Sequence, residues 1–363
     1  MNLKHPVTRK SLILAGLLLV IIVIKLFSID ASRVENIYAK QFYVAISGLL
    51  RILFGWLPFS FGDIIYFVVV IWLLRKIFIF FNRLIKKQLT LNWFKNTGYR
   101  LLVIGMSIYI VFNIFWGINY NRQRISEQLD LPQTGYDTSD LKMIENILLQ
   151  KVNESKLALI KNNTGYPSDK ELFVRAYACY DQCEKIYPFL NYRHHSAKRS
   201  LFSWWGNYFG FTGYYNPFTA EAQVNTTVPR FILPYTITHE MAHQLGYAKE
   251  EEANFVGYLA ATASNDTLFH YSAYLDLFVY ANRTLFLSDS VSARNAARQL
   301  LPPVKADIKE WRDFLLKHRS PLEPFINWAY GNYLKANQQP QGINSYDEVI
   351  ADLIAFYKKF GKI

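Results

Sequence analysis

The 363-residue chain reads as an α+β protein, mostly helical, in which three N-terminal transmembrane helices precede an extracytoplasmic domain with a small sheet. Three observations predict this. Apolar runs long enough to cross a bilayer crowd the first third, the positive charge sits in that same third, and one aromatic, glycine-punctuated stretch interrupts otherwise helical periodicity.

Composition alone, at 51% hydrophobic, 17% aromatic and net charge +12, fits either a large globular protein or a membrane protein. The distribution of charge separates the two. Residues 1–118 hold 14 of the 40 Lys+Arg but 3 of the 28 Asp+Glu, which leaves a nearly balanced 26 against 25 for the remainder. A basicity confined to one end is not a nucleic-acid footprint. No nucleic-acid partner is expected.

The first span is expected at about 11–28, an apolar run broken only by Lys25, which can snorkel to an interface. No small-x-small cleavage site follows it, which argues against a signal peptide. The second is expected at about 59–76, with Asp63 near its start and Arg75-Lys76 at its end. The third, 101–118, is uncharged and long enough to span. Lys4, Arg9 and Lys10 precede the first span, and Arg75, Lys76, Arg83, Lys86, Lys87, Lys95 and Arg100 lie between the second and third. The positive-inside rule puts both groups in the cytoplasm, and the mixed-charge loop between the first and second spans (Asp30, Arg33, Glu35, Lys40, Arg51) outside. The result is a multi-pass plasma (inner) membrane protein with a cytoplasmic N-terminus, a membrane domain over 1–119 and an extracytoplasmic domain over 120–363. The lipid bilayer is its first expected partner.

In the second domain, Ser139–Lys161 and Lys170–Ile186 are helical in pattern. Lys198–Val228 is rich in aromatic and β-branched residues with Gly206, Gly210 and Gly213 between them, which reads as a few strands with tight turns. After His239 the pattern is helical to the end. Ser345-x-x-Glu348 forms a capping box for the last helix. Cys179 and Cys183, four apart on a helix, are expected as unlinked, partly buried thiols and not as metal ligands. His194-His195 on a basic loop is read as solvated, with a second metal or anion site as its functional alternative.

The chemistry is carried by His239-Glu240-Met241-Ala242-His243. On a helix this HExxH pattern sets two imidazoles one turn apart, where both reach one Zn²⁺, and puts the glutamate beside the water that the ion activates. Pro234 falls at the first helical turn, Gly246 suits a helix stop, and Glu250-Glu251-Glu252 opens a second helix. A catalytic zinc site needs a third protein ligand and an open position. Glu250 is expected to supply it, with Glu252 as runner-up and Glu251 third. Asn254, on the same face as Glu250, is expected to hydrogen-bond a ligating histidine. Small Ala253 and Gly257 would let the two helices close up.

At these residues the chain resembles the gluzincin-type zinc metallopeptidases, whose third ligand is a Glu in an ExxxD or ExxAN-like helix; here that pattern reads Glu250-Glu251-Glu252-Ala253-Asn254. It departs from many members in having Asn where they have Asp and a short spacer after His243. A sheet just before the motif helix matches the order of zincin folds. The resemblance implies that Thr219–Asn225 is an edge strand beside the metal, with Glu221 and Asn225 turned to the cleft. Over nearly its whole length the chain also resembles an uncharacterised bacterial family, domain of unknown function 3810. The three-span beginning, Trp116-Gly117-Ile118-Asn119-Tyr120, Pro217–Ala222, His239–Asn254, and Tyr333-Leu334-Lys335 to Ser345-Tyr346 carry that likeness.

The function these residues predict is a membrane-anchored zinc metallopeptidase with Glu240 as general base, acting on a peptide or envelope-protein substrate. Tyr258, His270, Tyr330, Tyr333 and Tyr346 are candidates to stabilise the oxyanion. The alternative is a non-catalytic membrane scaffold or sensor with a structural zinc site.

Overall fold

The structure is a computed structural model that describes residues 9–132, 135–340, 342 and 348–363. Its first third contains four helical segments long and apolar enough to cross a membrane. They are α1 (Arg9–Phe27), a continuous run through α2 (Ala31–Arg33), a wide-turned helix (Val34–Phe42) and α3 (Tyr43–Phe54), then α4 (Phe61–Ile85) and α5 (Leu91–Phe115). The side chains of α1, α4 and α5 face outward along most of their length, as a lipid-facing surface should. Ser60 and Thr90 cap α4 and α5 by accepting bonds from Asp63 N and Trp93 N.

Two sequence expectations change here. Residues 31–54, read as a loop of mixed charge, are helical, because the charges that argued against a helix have partners. Glu35 is fully buried on Arg122, and the Arg51 guanidinium lies 5.3 Å from the Tyr192 ring centre. The helix expected at 101–118 instead begins at Leu91, so the polar run after Thr90 belongs to it, and it ends at Phe115.

After a 3₁₀ turn (Gly117–Asn121) and the short α6 (Ile125–Gln128), the chain builds a helical body from α7 (Thr138–Lys161) and α8 (Asp169–Ile186). Asp137 and Asp140 form a reciprocal capping box on α7. Three short strands follow, β1 (Ala197–Arg199), β2 (Gly213–Asn216) and β3 (Glu221–Val224), with α9 (Ser203–Phe209) between the first two. The aromatic run is therefore partly helical: Ser203–Phe209 forms two turns, stopped by Gly210 in the left-handed region at φ 77°. The sheet order is β1-β3-β2, with β1 parallel and β2 antiparallel to β3. Thr219–Asn225 thus contains the central strand and not an edge.

Then come α10 (Leu233–Gln244), α11 (Glu250–Ala263), α12 (Thr267–Ser288), α13 (Ser290–Gln299), α14 (Pro302–Lys317), α15 (Glu323–Ala336) and α16 (Val349–Phe360). The core lies where α7, α8, α10, α11 and α12 meet, around Ile144, Leu148, Leu172, Phe255, Phe269 and Phe278. Gly257 explains the tight crossing of α10 and α11. A Cβ on it would stand 3.0 Å from the His239 backbone N and Cα. Ser345 and the capping box it would open lie outside the described residues.

The membrane-type helices are bonded to this body. Lys198 Nζ donates to Glu221 Oε1 at 2.7 Å and to the carbonyls of Phe54 and Phe59. Glu221 also accepts from the backbone N–H groups of Phe61 and Gly62 at the start of α4. Asp63 accepts from Leu201 N at 2.7 Å and from the Tyr214 hydroxyl. The first turn of α4 is therefore clamped to the sheet through charge-assisted bonds, the stronger kind.

Candidate metal centre

Pro234 lies in the first turn of α10, where its missing N–H leaves no bond unmade, and the helix carries His239 and His243 on one face. Gly246 at φ 87° turns the chain after the second histidine, and α11 starts at Glu250. This hairpin of helices brings His239 Nε2 to 3.3 Å and His243 Nε2 to 3.6 Å from Glu250 Oε2. The three ligand atoms lie within 4.8 Å of one another on buried residues, a group that could hold a metal ion. Two imidazoles and one carboxylate on a shared point are a donor set suited to zinc chemistry.

The surroundings orient this set. His243 Nδ1 lies 2.7 Å from the Tyr247 carbonyl, which fixes the proton on Nδ1 and leaves Nε2 free for a ligand. Tyr330 donates to Glu250 Oε1 at 2.7 Å, so Oε2 is the oxygen turned to the histidines. Burial alone would raise Glu250, but the two imidazoles hold its carboxyl well below the usual carboxylate range. Burial would likewise lower His243, and the Glu250 carboxylate outweighs it, pushing the imidazole up to about 9. Such mutual stabilisation of opposite charges is what a bound cation replaces.

The other two glutamates lie outside this group. Glu252 is fully buried and its Oε1 accepts from Ile125 N at 2.9 Å. Glu251 is raised to about 8, by burial first and by its neighbour Glu252 second. Asn254 was expected to bond a ligating histidine. Instead its Nδ2 and His239 Nδ1 are both buried without a hydrogen-bond partner among the described residues. Asp276 on α12 is a further carboxylate that feels His239: burial raises it to about 6 and His239 draws it down. Sequence reasoning missed it, although an acid inside the apolar run Tyr274–Phe278 is a visible signal.

Glu240 projects from α10 into a cleft of about 950 Å³ whose lining includes His239, His243 and Glu250. Burial pushes its carboxyl up to about 7 against the pull of the two histidines, and its Oε2 has no partner among the described residues. Gly213 of β2 packs on it; a Cβ there would stand 2.7 Å from the Glu240 Cδ and Cγ. β2 is thus the edge strand beside the site, and Gly213, Tyr214 and Tyr215 line the cleft.

Glu221 and Asn225 do not line it. Glu221 is spent on Lys198 and on the start of α4, and Asn225 Nδ2 donates to Asn207 and the Phe211 carbonyl. The expectation that both face the cleft fails because Ala222 and Val224 take the core side here, while Glu221 and Asn225 alternate with them and are held by partners outside the cleft. Of the tyrosines and histidine considered for the oxyanion, Tyr330 and Tyr333 line the cleft. Tyr258 is buried in the core, His270 is bonded to the Ser264 carbonyl, and Tyr346 lies outside the described residues. His195 stacks on Tyr177 with ring centres 4.1 Å apart, away from this site. Cys179 and Cys183 are buried free thiols, both pushed up to about 12 by burial.

No curated protein and no solved structure matches the chain. Residues 38–354 match the family described as "Protein of unknown function (DUF3810)", and the chain belongs to that family.

Proposed function

We propose that this is a membrane-anchored zinc metallopeptidase of the gluzincin type. The observation that carries the reading is a buried carboxylate, Glu240, in the same cleft as a convergent His239–His243–Glu250 set and beside an edge strand. His239, His243 and Glu250 would hold a Zn²⁺, which would supply Lewis-acid polarisation and lower the pKa of a water toward about 7. Glu240 takes the proton from the attacking water and returns it to the leaving amine, a role its elevated pKa favours. β2 offers backbone groups along its free edge to an extended peptide. Tyr333, which lines the cleft, is the candidate donor to the oxyanion, since the Tyr330 proton is committed to Glu250 Oε1.

The membrane arrangement this implies has three crossings, by α1, α4 and α5. The 31–54 segment lies along the face that carries the metal site. Gln123 donates to Ser32 and Arg122 pairs with Glu35 near its start, while Lys198 bonds Phe54 at its end. Twenty-four residues of crossing helix would hold those ends about 36 Å apart, on opposite sides of a bilayer. At the other face, Lys10 donates to Asn96. With the basic residues there cytoplasmic, residues 120–363 form an extracytoplasmic catalytic domain.

Metal analysis of the full-length protein in detergent tests the ligand set. One zinc per chain is expected in the wild type and in Glu252→Gln, and none in His243→Ala or Glu250→Ala. Zinc retained in Glu250→Ala would overturn the assignment. Gly213→Ala is expected to keep its zinc but lose about 10²-fold in kcat, because displacing a catalytic group by about 1 Å costs that much. Unchanged kcat would mean that Glu240 does not act from where it lies.

A further inference from the structure

The cleft that holds the metal ligands is walled on one side by a membrane-type helix. Tyr66, Phe67 and Val70 of α4 line it. These residues fall inside Ile64–Leu74, an uninterrupted apolar stretch that ends at Arg75-Lys76. Val70 is nine residues after Phe61, roughly 13 Å along the helix axis from its start. The cleft therefore extends down the helix past the level where the chain enters apolar surroundings. Val68 and Ile71, next to them on α4, are exposed without lining the cleft, so the cleft wall adjoins the lipid-facing surface.

Another part of the wall is formed by α9 and α15, which touch each other. Phe202, Trp205 and Ile326 line the cleft from this side. The same two helices leave Trp204, Phe325 and Trp328 more than half exposed. Large aromatics clustered in that way mark an interaction surface, and Trp at the level of a span's end is the usual membrane-interface anchor. Because these two helices share the cleft with the membrane-type helix α4, the occupant that fits the exposed aromatics is the bilayer leaflet nearest the metal site.

We infer that the cleft opens sideways into that leaflet between α4 and the α9–α15 pair, and that its substrate is a polypeptide whose scissile segment adjoins an apolar membrane anchor. The inference rests on the peptidase reading of the site. The polypeptide half comes from β2, whose free edge runs beside Glu240 and matches an extended chain and not a lipid headgroup. The anchored half comes from the apolar mouth. An anchor in the same leaflet confines substrate to a thin layer at the mouth and raises its effective concentration.

Two measurements on the zinc-loaded full-length protein in lipid nanodiscs test it. In the first, a nitrobenzoxadiazole label is attached in Trp204→Cys, Phe325→Cys and Trp328→Cys, with Val68→Cys on the outer surface of α4 and Leu157→Cys on α7 as references. Nitroxide-bearing phospholipid is expected to quench the three test labels as strongly as the Val68 label. Iodide is expected to quench the Leu157 label alone. Iodide quenching of all three test labels overturns the membrane mouth, whatever the enzyme does.

In the second, a random-sequence fluorogenic decapeptide mixture is offered free, joined to a membrane-spanning polyleucine helix, or joined to a palmitoyl chain. Cleavage of a joined form is expected to exceed that of the free form by at least about 10²-fold at equal bulk concentration. Which joined form is cut identifies the kind of anchor. Free peptide cut as fast as either joined form overturns the substrate class and leaves the peptidase standing. Cleavage of none overturns both, and the quenching result then stands by itself.

Discussion

Glu240→Gln is expected to abolish most turnover, by about 10²–10⁴-fold in kcat, while the zinc stays bound and the fold is no less stable. The amide has nearly the shape of the carboxylate but cannot accept a proton. Its surroundings favour it: the side chain is buried, Gly213 packs against it, and burial already pushes the acid toward its neutral form at about 7. Removing a charge that the site disfavours costs no stability. The combination matters, because a merely structural role for Glu240 would lower stability and rate together. Turnover and zinc content are measured on the same detergent-solubilised sample, with melting temperature as the third reading. Undiminished turnover with zinc in place would sink the general-base role and favour a scaffold that keeps its metal for structure.

How far sequence led follows from the range of the interactions involved. His239, His243 and Glu250 were legible because their geometry is set by local rules: the turn of one helix, a glycine at positive φ, and the start of the next helix seven residues on. Among the three adjacent glutamates sequence gave an order and no proof. What separates them is tertiary, since Ile125 N claims Glu252 and Tyr330 orients Glu250. Glu221 was misplaced for the same reason. On a strand, a buried acid destined for Lys198 looks like one facing a cleft, and Lys198 is 23 residues away. The 31–54 helix was hidden by Arg33, Glu35, Lys40 and Arg51, charges that argue for a loop until Arg122 and the body of the protein are seen to meet them. Nothing local to Tyr66, Phe67 or Val70 announces that a lipid-facing helix also walls the cleft.

Arg122→Ala should be the most destabilising single change outside the core, at about 3–5 kcal/mol, because it leaves a buried charge without its partner. Arg122 Nε and Nη2 meet the two oxygens of Glu35 at 2.9 Å each, in the paired geometry that suits guanidinium and carboxylate. Glu35 has no exposure to water, and its other cation, Lys40, is 3.7 Å away and half exposed. The arginine also donates to the Leu245 carbonyl at 3.1 Å and lies over the Tyr247 ring at 4.3 Å. It thereby joins the 31–54 segment to the turn whose Tyr247 carbonyl fixes the His243 tautomer. Zinc affinity should accordingly fall by about 10–100-fold, the usual cost of disturbing a group that orients a metal ligand. The double variant Glu35→Leu, Arg122→Met should regain most of the stability, since no charge then remains buried. It should not regain the zinc affinity, because the Leu245 and Tyr247 contacts are still missing. Melting in detergent and zinc titration of the three proteins separate these effects. A single variant as stable as the wild type would show that Glu35 is solvated and that the membrane segment and the metal turn are not joined through this pair.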